Sequence, residues 1–284
     1  MASGIDMGSD MIFEKRLGFS GTTSDLLPTG MTCDFEPGSE AKIVRTLTNP
    51  SVISTMDLQG DWDSQFILRV VAGAKPRFHA LIDVGALVTG MTNQEVAAYL
   101  LEHGLEGMQG VVYFDDVGRH MVLMRGTSEG IQLDQCGIDP SERFTFFNQT
   151  NATGTDCPQV MDARAAVTLG KDMTLRELAQ GSWRMRGLGV GQTLTVLVVP
   201  EVSRLVRRAV RTNTKSAPGN ESAAGASDAG VTSVLPPAVA ELFRGVSTDG
   251  DSPSTSSNAD RTAPQDIVTW LLAASIRSEQ LQHM

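Results

Sequence analysis

Six short apolar runs of strand length, most of them set apart by stretches of helical periodicity, restrict the fold of this chain more than any other feature. They are "FHALIDV" (78–84), "GVVYFDD" (110–116), "HMVLMRG" (120–126), "RFTFFNQ" (143–149), "AAVTLG" (165–170) and "TLTVLVVP" (193–200). A strand that is apolar throughout, with no polar alternation, is one covered on both faces, and that is the environment of a mainly parallel sheet flanked by helices. The expected fold is therefore α/β and doubly wound, with the sheet mainly parallel and helices on both faces.

The helical periodicities fit between these runs. "SEAKIVRTL" and "DWDSQFILRVVAGA" carry apolar residues at helical spacing, the second with Trp62, Phe66, Ile67 and Val70 on one side. "MTNQEVAAYLLEHGLEG" opens with Thr92 and Glu95 at capping-box spacing and stops at glycines. "TLRELAQGSWRMRG" and "EVSRLVRRAV" read as two later helices, the first bearing Gln180, Arg184 and Arg186. At 3.6 residues per turn Gln180 and Arg184 share a face, and Arg186 points about 160° away, towards a different partner.

The expected organisation is a segment at 1–38, an α/β domain at 39–211, a low-complexity linker at 212–263 and a terminal amphipathic helix at 264–284. Stretches such as "TNTKSAPGNESAAGASDAG" and "STDGDSPSTSSNADRTAP" are rich in Ser, Gly, Ala, Asp and Pro, so most of the tail is expected to be disordered. Within it "PPAVAELFRG" reads as a short helix. The terminal helix sets Ile267, Trp270, Leu271 and Ile276 along one side, to dock on the core or on a partner.

Charge and cysteine usage narrow the function classes. The formal net charge of −10 over 284 residues disfavours general binding to nucleic acid, which needs clustered Lys and Arg. Cys33, Cys136 and Cys157 are odd in number and widely spaced, so neither a disulfide framework nor a metal site is indicated. No secretory leader and no membrane span is read, which points to an intracellular, cytoplasmic protein.

Four loops fall where an open α/β sheet collects ligands, beyond the carboxyl ends of its strands. "LGFSGTTSDLLP" contains Ser20, Gly21 and Thr22, hydroxyls beside a permissive backbone, or simply a turn. Asp83 ends a strand and is expected to cap the segment that follows it. "TNATGTDCP" offers Gly154, Thr155 and Asp156, either an Asx-type turn or a site that orders water, metal or an arginine. Gln180, Arg184 and Arg186 supply the fourth set, for a phosphate and an acidic loop, or as a solvated basic helix end. "RGLGVGQT" lacks the Lys-Ser/Thr of a phosphate-binding loop and precedes a strand, so no nucleotide cradle is assigned to it. Cys157 stands in the third loop without a His signature; His79, His103, His120 and His283 lie in other elements, and a small buried hydrophobe is the expected role.

The order "GFSGT", "ALIDVGALVTGM", "TGTDCPQ" and "ARAAVTLGKDMTLRELAQGSWRMRGLGVGQT" resembles the C-terminal part of very large eukaryotic proteins of a family grouped with ubiquitin thioesterases, the ubiquitinyl hydrolases. The likeness covers residues 11–205 and is most specific from Gly154 to Thr193. The same pieces look like the second RecA-like domain of superfamily 2 helicases. Ser20, Gly21 and Thr22 match its Ser-Ala-Thr motif, Thr153 to Asp156 the motif before the sixth, and Gln180 with Arg184 the start of the sixth.

What the resemblance implies is a RecA-like sheet and a role in ubiquitin conjugate processing by a thiol-dependent deubiquitinase, this chain being its C-terminal portion. The alternatives are one half of a helicase-like nucleotide hydrolase and a non-enzymatic scaffold. Its expected partners are an upstream RecA-like domain or another protein, and ubiquitin conjugates; ATP and Mg would be shared with that upstream domain, with no cofactor held by this chain alone. The chain departs from the helicase pattern at Gly187, where a second arginine is kept, and from the large-protein pattern at Asn148 and Asn151, which stand where Asp and His are usual.

Overall fold

The computed structural model describes residues 39–152, 154–215 and 262–282. Its eight strands form one sheet: β1 (Ile53–Asp57), β2 (Ala80–Ile82), β3 (Gly110–Phe114), β4 (His120–Met124), β5 (Gly130–Gln132), β6 (Arg143–Phe147), β7 (Arg164–Thr168) and β8 (Thr193–Val198). The spatial order is β1-β8-β7-β2-β6-β3-β4-β5. The strands from β1 to β3 in that order are parallel, and β4 and β5 add an antiparallel edge. The fold is thus α/β around a mixed, mostly parallel sheet, as the apolar runs require.

Six helices accompany it among the described residues: α1 (Ser39–Thr48), α2 (Ser64–Ala72), α3 (Asn93–His103), α4 (Leu175–Ser182), α5 (Pro200–Lys215) and α6 (Pro264–Gln282). Parallel crossovers are right-handed, so the connections running from β1 towards β3, through α2 and α3, lie on one face. Those running back, through α4 and the stretch 148–163, lie on the other. The packing agrees, since α2 rests on α3, whereas α6 packs against α1, α4, α5 and β1.

The periodicities placed most of these elements, with three exceptions. β1 has a mixed sequence, Ile-Ser-Thr-Met-Asp, and lies on the sheet's edge with only Ile53 buried, so no apolar run announced it. β5 is three residues long and is likewise absent from the apolar pattern. The third concerns "TLRELAQGSWRMRG": the helix ends at Ser182, and Arg184 and Arg186 are not on it. Gly181 and Ser182 are weak helix formers. Past them the backbone bonds run to the third residue back, from Arg184 N to Gly181 O, Met185 N to Ser182 O and Leu188 N to Met185 O.

The tail departs from the expected division at both ends. α5 continues to Lys215, past the boundary placed at 211, and Thr262 and Ala263 already belong to the packed structure. Residues 216–261, with the helix expected at "PPAVAELFRG", lie outside the described residues, as do 1–38 with Ser20, Gly21 and Thr22. The terminal helix docks on the core, burying Ile267, Val268, Trp270 and Leu271; the side chain of Ile276 lies outside the described set.

Capping fixes where three helices begin, the first being α2, where Asp63 accepts from Phe66 N (2.6 Å). Thr92 and Glu95 make the expected capping box on α3, and Thr174 with Glu177 makes a second one on α4. At the carboxyl end of β2, the central buried strand, Asp83 accepts from Leu87 N (2.9 Å), Val88 N (3.0 Å) and Thr168 Oγ1 (2.7 Å). Asp83 is the cap expected from its position, closing the loop after β2 onto β7.

Candidate functional site

The crossover from β6 to β7 contains no helix, and the site is built from the way the chain fastens it. Asn148, directly after β6, accepts at Oδ1 from Asn151 Nδ2 (2.7 Å) and Asn151 N (3.2 Å). Thr155 Oγ1 in turn donates to Asn151 Oδ1 (3.0 Å). The two asparagines therefore knit a turn at the carboxyl end of β6, a job for neutral amides that carry both donor and acceptor.

Two arginines reach this loop from the segment after α4. Arg184 donates from Nη1 to the carbonyl of Thr155, and Arg186 meets the Asp156 carboxylate through Nη2 (3.1 Å) and Nε (3.3 Å). From the opposite side His120, which pairs with Phe114 at the carboxyl end of β3, sets Nε2 2.9 Å from the Asp156 carbonyl. Gly154, Thr155, Asp156, Arg184 and Arg186 thus come together at the carboxyl ends of β3 and β6, where ligands gather in open α/β sheets.

The arrangement corrects the helical-wheel expectation. Because the chain leaves α4 at Ser182, Arg184 and Arg186 are not held 160° apart, and both serve one loop. Gln180 remains on α4, half-buried, and takes no part in these bonds. Gly187, where the helicase pattern keeps an arginine, donates its N–H to Gln192 Oε1 (2.7 Å), and Gln192 Nε2 holds the crossover again at Val160 O (2.8 Å). Sequence reasoning missed Gln192, though its place after three alternating glycines marked a tight turn in need of a polar tie.

The two arginines differ electrostatically. Arg186 and Asp156 form a half-exposed ion pair of modest worth. Arg184 is only 4% exposed, has no carboxylate within ion-pair distance among the described residues, and keeps a buried Nε without a hydrogen-bond partner. Burial lowers its pKa first, the neighbouring Arg186 charge lowers it further, and Asp156 opposes them. A buried cation tied only to a carbonyl is an energetically costly feature, and it is concentrated here.

Cys157 follows directly and faces inward, 1% exposed, with Sγ 3.8 Å from Thr145 Oγ1. Burial pushes its thiol pKa up, which favours the unreactive thiol over the thiolate. Gln159 bonds both Thr145 Oγ1 (2.9 Å) and Cys157 O (3.0 Å), completing a packed polar seam. His79 accepts from Arg164 N and His103 bonds Tyr99 O, so neither stands beside Cys157; His283 lies outside the described residues. Among the described residues no group of three or more His, Cys, Asp or Glu is placed to hold a metal ion, and no helix is long and apolar enough to cross a membrane.

Compared with protein-family models, with curated proteins and with solved structures, the chain gives no match.

Proposed function

We propose that the chain is a RecA-like, non-catalytic module of a ubiquitinyl-hydrolase-type protein, one that presents the loop at 154–156 to a neighbouring domain or a ubiquitin conjugate instead of cleaving it. The carrying observation is that Thr155 and Asp156 meet Arg184 and Arg186, bringing together the two ends of the most specific block of the resemblance. A buried thiol with a raised pKa beside that loop supports binding over nucleophilic chemistry. The Thr155 hydroxyl, the Thr155 and Asp156 carbonyls and the Asp156 carboxylate all have protein partners that fix the shape of the loop.

The test is a titration of the purified chain with mono- and di-ubiquitin, read by NMR or anisotropy, alongside a ubiquitin–fluorophore cleavage assay. Saturable binding weakened by Asp156→Ala, with no cleavage, is the expected result. Cleavage that disappears in Cys157→Ser would sink the proposal.

A second reading, half of a helicase-like nucleotide site, is favoured by the unpartnered Nε of Arg184. A γ-phosphate held with Mg by an upstream domain would be a better partner for a buried guanidinium than a lone carbonyl. As folded, Arg184 is turned into its own loop, so such a ligand would first have to draw it away from Thr155. Nucleotide binding by the chain that Arg184→Ala abolishes would move the assignment to this reading.

A further inference from the structure

The terminal helix touches both ends of α4, the short helix that delivers Arg184. At one end Ser275 Oγ accepts from Leu175 N at 3.4 Å. At the other, Pro264, Ile267 and Val268 line a small apolar cavity together with Leu178 and Ser182. The two helices therefore run antiparallel, with α6 meeting α4 near both of its ends.

That contact matters because α4 has eight residues and ends in Gly181 and Ser182. Helices this short are marginal without tertiary packing, and their last turns fray first. Gly181 rests on Ile82 of β2 and on Val84 just after it, and Leu178 shares the apolar cavity with Ile267 and Val268 of α6. Arg184 lies two residues beyond the end of α4, and its N–H is bonded to Gly181 O.

A polar clip holds α6 in place. Thr262 N and Oγ1 donate to the two oxygens of Asp57 (2.9 and 2.6 Å), at the end of edge strand β1. Thr55 Oγ1 donates to the Thr262 carbonyl (2.6 Å), and Ser203 Oγ of α5 lies 3.0 Å from Thr262 Oγ1. Gln265 Nε2 adds a bond to Thr48 O at the end of α1 (3.1 Å). The clip is well satisfied, whereas the contact with α4 is not: Ser182 Oγ is buried there without a partner, beside the cavity.

We infer that residues 262–275 are a strap whose docking on Asp57 sets the position of α4, and through it the hold of Arg184 on the loop at 154–156. The strap's hydrogen bonds to the sheet go to the side chains of Thr55 and Asp57, so its release breaks no strand pairing. Release withdraws the cover from Leu178, loosens the last turn of α4 and changes how the loop is presented. The partner that regulates this surface is thus a segment of the chain itself, and the coupling holds whether the loop meets ubiquitin, nucleotide or another domain.

Hydrogen–deuterium exchange on the full chain tests the coupling. In Thr262→Val, which keeps the side-chain volume and removes the hydroxyl bonds, exchange is expected to rise by about fivefold at 265–275 and at 178–188, the change that losing one ordinary hydrogen bond produces. Amides at 67–72 and 96–103, on the far face, should keep their wild-type rates. A rise confined to 265–275, or an equal rise on both faces, would overturn the inference. Ile267→Ala, which weakens the apolar side of the same contact, should reproduce the pattern; if it leaves 178–188 unchanged, the coupling is refuted.

Discussion

At the scale of single residues, the arginine pair separates a surface contact from a buried one. Arg186→Ala removes a half-exposed ion pair and should cost no more than about 1 kcal/mol in urea denaturation. Arg184→Ala removes the tie to Thr155 O and leaves a cavity in a buried place, so a loss of about 2 kcal/mol is expected in the same measurement. Cys157 should resist alkylation at neutral pH in the folded chain and react on unfolding, a difference that a thiol titration with and without denaturant reads directly. Asp83 provides a pH signature, since burial raises its pKa against three opposing hydrogen bonds. A carboxyl that holds its proton more tightly when folded contributes stability below its unfolded pKa of about 4, and loses that contribution as pH rises through the folded value. Asp83→Asn should therefore flatten the dependence of the urea midpoint on pH between the unfolded value and the raised folded one.

At the scale of elements, α4 shows local preference and tertiary packing in competition. Gly181→Ala would gain up to about 1 kcal/mol in helix propensity. The added methyl, however, would run into Val84 Cγ2 in the turn after β2, and overpacking of that kind costs about 1–3 kcal/mol. Packing should win, giving a net loss on the order of 1 kcal/mol by thermal or urea melting. The beginning of the same helix falls where the run "TLRELAQG" places it, and the capping box of Thr174 and Glu177 fixes it there. Its end was not legible in the sequence, because the continuing pattern "SWRMRG" hides a change from α-helical to tighter turns that Gly181 and Ser182 permit. Reading the arginines as helical led to two opposed faces, whereas the turns bring both to one loop.

At the scale of the whole molecule, a helix far along the chain closes the face opposite α2 and α3. Burying Ile267, Trp270 and Leu271 is worth roughly 1.5–3 kcal/mol for each side chain, so the chain without residues 262–284 should be markedly less stable than the whole. The sequence marked these positions as one side of an amphipathic helix but gave no means of choosing between the core and a partner. The choice rests on Asp57, whose carboxylate at the end of an edge strand receives Thr262, a pairing across more than two hundred positions that no local pattern encodes.

The apolar runs by themselves determined the α/β class and the parallel character of the sheet, because a strand without polar alternation has to be covered on both faces. Capping residues determined where α3 and α4 begin, and Asp83 its own role as a cap, because each acts on neighbours a few residues away. Only the tertiary structure decided the strand order, the edge strand β1, the docking of α6 and the meeting of Arg184 and Arg186 with Thr155 and Asp156. Those depend on contacts between distant parts of the chain, formed where an irregular crossover had to be fastened in place of a helix.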